Sequence, residues 1–397
     1  MNKNIRDEFP FLQKKIKGMD PVYLDSACMS LRPQPVIDAV NSYYQEFPGC
    51  GGRSMHKVGR RVDEEVIKAR LSMKKFLGAK SEKEIIFTKN TTEAINLVAN
   101  SLSLSKTVLT TDKEHNSNLV PWQLLSKRKG VTHKIIPSKD DNTFDLEAFE
   151  EMMSPDVELV SVVHTSNLDG VTYPLKEICK IAHDHGALVM ADAAQSVPSM
   201  ELDVRKLDVD LLACSGHKMC GPSGTGILYG KEAVLEKLSP FLVGGDTVHE
   251  TTYTDHEFDD LPERFEAGLQ NYAGIIGLGA AACFLEGVGK SNILSHEQNL
   301  NKRISAQIED DVKIIGPRAE ERSGIISFVP KGDVHQVALL LDETSNIMVR
   351  SGAHCVHSWF NARKIDGSVR ASCYLYTTAE EADFFAEKLK EVIQLVK

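Results

Sequence analysis

Between residues 85 and 229 the chain carries seven short, mostly apolar runs, and most neighbouring pairs are separated by a stretch with helical periodicity. The runs are Ile85–Thr88, Thr107–Thr110, His133–Ile136, Leu159–His164, Leu188–Ala191, Leu211–Cys214 and Gly226–Tyr229; the helical patterns include Thr92–Leu102, Leu146–Met153, Leu175–His185 and a short turn at Val204–Leu207. A strand that is apolar on both sides needs cover on both faces. The alternation therefore predicts an α/β domain built on a mostly parallel, seven-stranded sheet. Ligands of such sheets sit beyond the carboxyl ends of the strands. Asn167, Asp192 and Ser215–Lys218 each follow a predicted strand, so they should converge on one crevice.

A polar, acidic segment (Thr247–Arg264) interrupts the alternation, and Gly274–Val288, rich in small residues, reads as a long helix leading away from it. From about Leu294 the pattern becomes helix–strand–helix–strand and ends in an amphipathic helix over Ala379–Val396. These changes predict a large domain over 20–267 and a smaller α/β C-terminal domain over 268–397, joined by residues 1–19. A chain of 397 residues has room for both. Its net charge of -10 offers no electrostatic footprint for nucleic acid, and Lys14–Lys17 and Lys127–Lys129 read as solvated faces. No apolar run approaches the roughly 20 residues that span a bilayer. Met1–Glu8 lacks the apolar core of a secretory signal, so the expectation is a cytoplasmic protein without a membrane or nucleic-acid partner. The 8 cysteines lack the spacing of a disulfide scaffold and read mostly as small buried hydrophobes, with Cys28, Cys214 and Cys220 expected to be packing residues.

The chemistry centres on Ser215-Gly216-His217-Lys218, downstream of Asp192-Ala193-Ala194-Gln195. A loop lysine is ordinarily a solvated surface group. Here it sits in a small glycine-rich loop, Ser215 through Gly226, after an aspartate that closes a buried run. That lysine can hold an aldehyde cofactor as a Schiff base while the aspartate pairs with the cofactor's ring nitrogen, the arrangement used for pyridoxal phosphate. A carboxylate at Asp192 is costly unless paired; it either meets such a ring or caps the next turn. Gln195 either reaches the ring oxygen or bonds loop backbone. Thr91 and Thr92 open a helix and read as an N-cap or, with Ser215 and His217, as a phosphate site. His115 is either a ring stacked on a cofactor or an ordinary loop histidine.

Near the other end, Arg350-Ser351-Gly352-Ala353-His354-Cys355-Val356-His357 places a cysteine between two histidines and close to an arginine. Such electropositive surroundings lower a thiol pKa and create a nucleophile; the alternative is an inert buried cysteine. Three metal ligands within four residues do not readily wrap one tetrahedral ion, so no metal is expected. Arg370, on a predicted strand, suits bidentate capture of a carboxylate.

Together these motifs resemble the class V (fold type I) pyridoxal-phosphate aminotransferase superfamily, and more narrowly its cysteine desulfurase and selenocysteine lyase branch. The resemblance runs from Tyr23-Leu24-Asp25-Ser26-Ala27 to the C-terminal helix. It implies Lys218 as the Schiff-base lysine, Asp192 on the ring nitrogen, Gln195 and Asn167 near the ring oxygen, and His115 on the ring face. It implies Thr91, Thr92, Ser215 and His217 around the phosphate, Arg370 and Arg350 with Asn167 on the substrate, and Cys355 as the sulfur-accepting nucleophile. The implied function is conversion of L-cysteine to alanine in a homodimer, with a persulfide on Cys355 passed to a sulfur-acceptor or iron–sulfur scaffold protein. Selenocysteine lyase is the near alternative, and another class V aminotransferase or epimerase the wider one. Three segments depart from the family pattern: Leu269 replaces a threonine, Gly52-Arg53 replaces a His-Arg pair, and Val356–Phe360 follows the cysteine.

Overall fold

The computed structural model describes residues 4–52 and 54–396; Arg53, singled out in the sequence, lies outside them. Seven strands form the main sheet in the order Ile85–Thr88, Gly226–Gly230, Leu211–Ser215, Leu188–Asp192, Val157–Val163, Thr107–Thr111 and Thr132–Ile136. Only Gly226–Gly230 runs against the others. Alternate residues of the same strands feed two cores, as strand geometry requires. Val160, Val162, Val189, Ala191 and Leu212 enter one cluster, whereas Leu159, Met190, Leu211 and Ala213 enter the other.

A second sheet of four antiparallel strands, Lys313–Ile314, Ile325–Val329, Ser368–Ser372 and Arg350–Gly352, has its own apolar cluster with the helices Lys290–Ile308, Val334–Ser345 and Ala379–Leu395. The N-terminal segment ties the two halves together. Val22–Tyr23 pairs in parallel with Ile347–Met348, and the Ser372 N–H donates to the Leu24 carbonyl at 2.7 Å. Arg6 grips Glu381 with both terminal nitrogens, and Phe9 packs edge-on against Phe284 and Tyr376. The small-residue helix spans Tyr272–Val288, two residues longer than the sequence predicts because Asn271 caps it. Its small residues serve close approach: a Cβ at Gly279 would stand 2.7 Å from the Ala69 Cα in the helix Lys57–Leu77. Among the described residues no single helix is long and apolar enough to cross a membrane.

Candidate active site

Register brings the carboxyl ends of the central strands to one level: Asp192 pairs with Val163 and Ala213, and Ser215 with Gly226. Beyond that level lies a cavity of about 230 Å³ whose wall includes Lys218, Asp192, His115, Asn167, Cys355 and Arg370. Thr91, Thr92, Gln195, Ser215, His217 and Arg350 line it too, so every site residue drawn from the sequence reaches one place.

Lys218 ends a single 3-10 turn, Gly216–Lys218, directly after the strand Leu211–Ser215. Burial pushes its ammonium below the ordinary lysine range, and Asp192 opposes that push. Asp192 is buried, accepts the Ala194 N–H at 3.0 Å, and has its carboxyl raised by burial against the pull of Lys218. Gln195 donates to the Ala27 carbonyl at 2.7 Å, which docks the N-terminal segment onto the cavity rim.

The helix Thr91–Ser101 corrects one expectation. Its N-cap is Asn90, whose Oδ1 accepts the Glu93 N–H at 2.9 Å, and not the threonine pair. The threonines are thereby turned to the cavity. Thr91 bonds Ser215 Oγ through its N–H (2.9 Å) and hydroxyl (2.7 Å), and Thr92 meets Ser117 Oγ at 2.7 Å. Ser117, overlooked in the sequence although it stands two residues past His115, links the two helix starts by contacting His115 Nδ1 at 2.9 Å. His115 itself caps the helix Asn116–Lys129. Burial, reinforced by Lys218 and Arg370, pushes its imidazole down to about 3, so the ring is neutral. Gly226 permits this convergence, since a Cβ there would stand 2.7 Å from the Asn90 Cα.

Arg350 and Arg370 are directly opposite one another on adjacent antiparallel strands. Like charges in that position repel, and the arrangement calls for an anion between or beside them. Arg370 is buried; its Nη1 donates to the Asn167 carbonyl at 3.0 Å and its Nη2 faces Asp25 at 3.4 Å. Its Nε and the buried Asn167 Oδ1 have no protein partner, as befits groups that await a ligand.

Cys355 is half-buried at the end of the turn after Arg350–Gly352. His354 and Cys355 both adopt left-handed backbone, with φ of 48° and 60°, a conformation that costs about 1–3 kcal/mol per residue and concentrates at functional turns. The turn is tied down by the Asn167 side chain on the His354 carbonyl (2.8 Å) and by the Asn116 N–H on the Cys355 carbonyl (2.8 Å). A second correction concerns its charge. Burial pushes His354 down to about 2, and its Nε2 bonds Ser368 Oγ, so this histidine is neutral. The cavity wall that Cys355 shares carries Arg350, Arg370 and Lys218. Cys28 is a third correction: it is half-buried in the cavity wall with Arg350 Nη1 at 2.6 Å from its sulfur, while Cys214 and Cys220 are buried packing residues as expected. Among the described residues no three histidine, cysteine or acidic side chains cluster as a metal site.

The donor set fits pyridoxal phosphate. Lys218 would be the amine for its aldehyde, Asp192 the carboxylate for its ring nitrogen, and His115 a neutral ring beside them. The Thr91–Ser101 helix start with Ser215 and His217 offers the anion site.

A model of the aminotransferase class-V family matches residues 22–385. The chain is 39% identical to a probable cysteine desulfurase of Halalkalibacterium halodurans, with 98% of this chain and 97% of the relative covered. It is 37% identical to a probable cysteine desulfurase of Halobacterium salinarum, covering 98% and 96%. The apo structure of a cysteine desulfurase from Thermococcus onnurineus is similar with a TM-score of 0.94 and 36% identity, over 99% of this chain and 98% of that one.

Proposed function

This chain belongs to the aminotransferase class-V family, and we propose that it is a pyridoxal-phosphate-dependent cysteine desulfurase that takes sulfur from L-cysteine onto Cys355 and releases alanine. The observation that carries the reading is the placement of Cys355 in one cavity with the Lys218–Asp192 pair and the two opposed arginines.

Bound pyridoxal phosphate supplies an electron sink for the substrate's Cα. The remaining work falls to the chain. Arg370 and Arg350 take the substrate carboxylate, with Arg370 held in place by Asp25 and the Asn167 carbonyl. Both arginines are held by protein contacts before substrate arrives, which is the preorganisation that makes such contacts effective. Lys218 Nζ, with its proton loosened by burial, takes the Cα proton and returns it. Asp192 holds the ring nitrogen protonated. Cys355 Sγ, as thiolate, attacks the substrate sulfur: an S–S bond forms, the Cβ–S bond breaks, and its electron pair stays with the carbon skeleton that leaves as alanine.

The reading includes a homodimer in the cytoplasm. Exposed Phe241, Leu242, Val243 and Leu269 support the dimer, because contiguous apolar surface of this kind marks an interface. Eight free thiols fit a reducing compartment. It also includes a large domain over 20–267 and a small one over 268–397, and transfer of the sulfur to an acceptor protein.

The test is an absorbance spectrum before and after L-cysteine, with alanine and sulfide assayed from the same tube. Wild type should show a cofactor band that shifts and should release alanine. Lys218→Ala should lose both, and Cys355→Ala should keep the band and lose the persulfide. Undiminished persulfide formation in Cys355→Ala would remove the nucleophile assignment, and alanine formation from selenocysteine alone would move the function to selenocysteine lyase.

A further inference from the structure

Two thiols face the cavity. Among the eight cysteines only Cys28 and Cys355 line it. Cys179, Cys214 and Cys220 are buried in apolar surroundings that push their thiols up to about 12, and Cys50 and Cys283 are exposed elsewhere. Cys28 stands apart from them because Arg350 donates to its sulfur at 2.6 Å. A thiol beside a guanidinium is in the electropositive setting that reactive cysteines occupy. Lys218 and Arg370 line the same cavity.

The two cysteines also differ in how they are held. Cys28 lies in a fixed segment: its N–H bonds the Asp25 carbonyl at 3.0 Å, and the neighbouring Ala27 N–H bonds Ser372 Oγ at 2.9 Å. Cys355 stands on the left-handed turn, five residues beyond the arginine that grips Cys28. Arg350 thus touches one thiol and leads by a short turn to the other, and both line the same cavity.

We propose that Cys28 is a second sulfur carrier, receiving the outer sulfur of the Cys355 persulfide inside the cavity. The proposal rests on the desulfurase reading above. The Cys28 thiolate attacks the terminal sulfur; an S–S bond forms at Cys28, the S–S bond at Cys355 breaks, and its electron pair leaves on Cys355 Sγ. The terminal sulfur carries its own proton across, so no oxidant or reductant is consumed. Cys355 is then free for another turnover before an acceptor arrives.

The experiment maps sulfane sulfur on alkylated peptides by mass spectrometry. Holoenzyme given L-cysteine without an acceptor should place sulfur on both cysteines and release roughly twice the alanine burst of Cys28→Ser, one thiol holding one outer sulfur. An equal burst with sulfur on Cys355 alone overturns the proposal, as does a Cys28–Cys355 disulfide with sulfide set free. A second arm needs no turnover: cofactor-free protein is loaded with inorganic polysulfide and mapped in the same way. Sulfur on Cys28 in wild type but not in Cys355→Ser sustains the relay even if the holoenzyme makes no alanine, a result that would remove the desulfurase reading alone. Sulfur on Cys28 in both proteins, or in neither, ends it.

Discussion

Removing Glu266 and Arg70 together should cost this fold less than the two removals summed. Arg70 and Glu266 form a buried bidentate pair, both contacts at 2.8 Å, with each residue under one-tenth exposed. The pair is also bolted to the edge strand of the main sheet: Arg70 donates to the Ile85 carbonyl at 2.6 Å, and Glu266 accepts the Phe87 N–H at 2.7 Å. Glu266→Leu strands a guanidinium that water cannot reach, and breaking a buried pair in this way costs about 3–5 kcal/mol. At about 2–4 °C per kcal/mol for domains of 150–250 residues, Tm should fall by roughly 6–20 °C. Arg70→Met with Glu266→Leu removes both charges and leaves only the Ile85 and Phe87 backbone groups short of a partner, each at about 1–3 kcal/mol. The double variant should therefore lose less than the sum of the Glu266→Leu and Arg70→Met losses. Calorimetry of the singles and the double closes the cycle. A double variant that melts at the sum of the single losses would refute a directly coupled buried pair.

Two further outcomes follow from packing and charge. Gly226→Ala places a Cβ 2.7 Å from the Asn90 Cα and 2.8 Å from the Cys214 carbonyl, backbone atoms that have little room to yield. Overpacking of this kind costs about 1–3 kcal/mol. It should weaken cofactor binding by roughly tenfold or more in an absorbance titration, whereas Gly287→Ala, which meets nothing within 4 Å, should bind normally. Burial pushes the Glu297 carboxyl from its ordinary 4.5 up to about 8, against the donors Ser199 and Gly324. The folded protein then binds that proton more tightly than the unfolded chain, so this contribution is complete below pH 4.5 and is lost as pH rises toward 8. Glu297→Gln should flatten the decline of Tm across that window, and an unchanged decline would discharge Glu297 from it.

Most of the seven strands were legible because they are apolar on both faces, the outer Thr132–Ile136 being largely exposed, and Asp192 and Ser215–Lys218 were legible because they close such buried strands. The helix Asn116–Lys129 was not legible: Pro121 lies inside it, and its apolar residues form no stripe. Asn90 hid as the cap because two threonines follow it, and either residue type suits an N-terminus. The neutral state of His354 depends on burial, which a motif does not carry. Cys28 was misread for another reason. Its partner Arg350 lies 322 residues away in the chain, brought near by the pairing of Val22–Tyr23 with Ile347–Met348 and the bonds of Leu24 and Ala27 to Ser372.

That pairing fixes when the protein acquires a working cavity. The main sheet is complete once Gly230 has been made, but the wall contributed by Arg350, Cys355 and Arg370 does not yet exist. A nascent chain on the ribosome can thus assemble the Lys218–Asp192 platform long before it owns the proposed substrate clamp or the proposed sulfur acceptor. Closing the loop between the first thirty residues and the last fifty is a step of high contact order, and such steps come late. Synthesis must pass Arg370 before the cavity wall is complete, so a chain truncated before Arg350 would hold the Lys218–Asp192 platform alone.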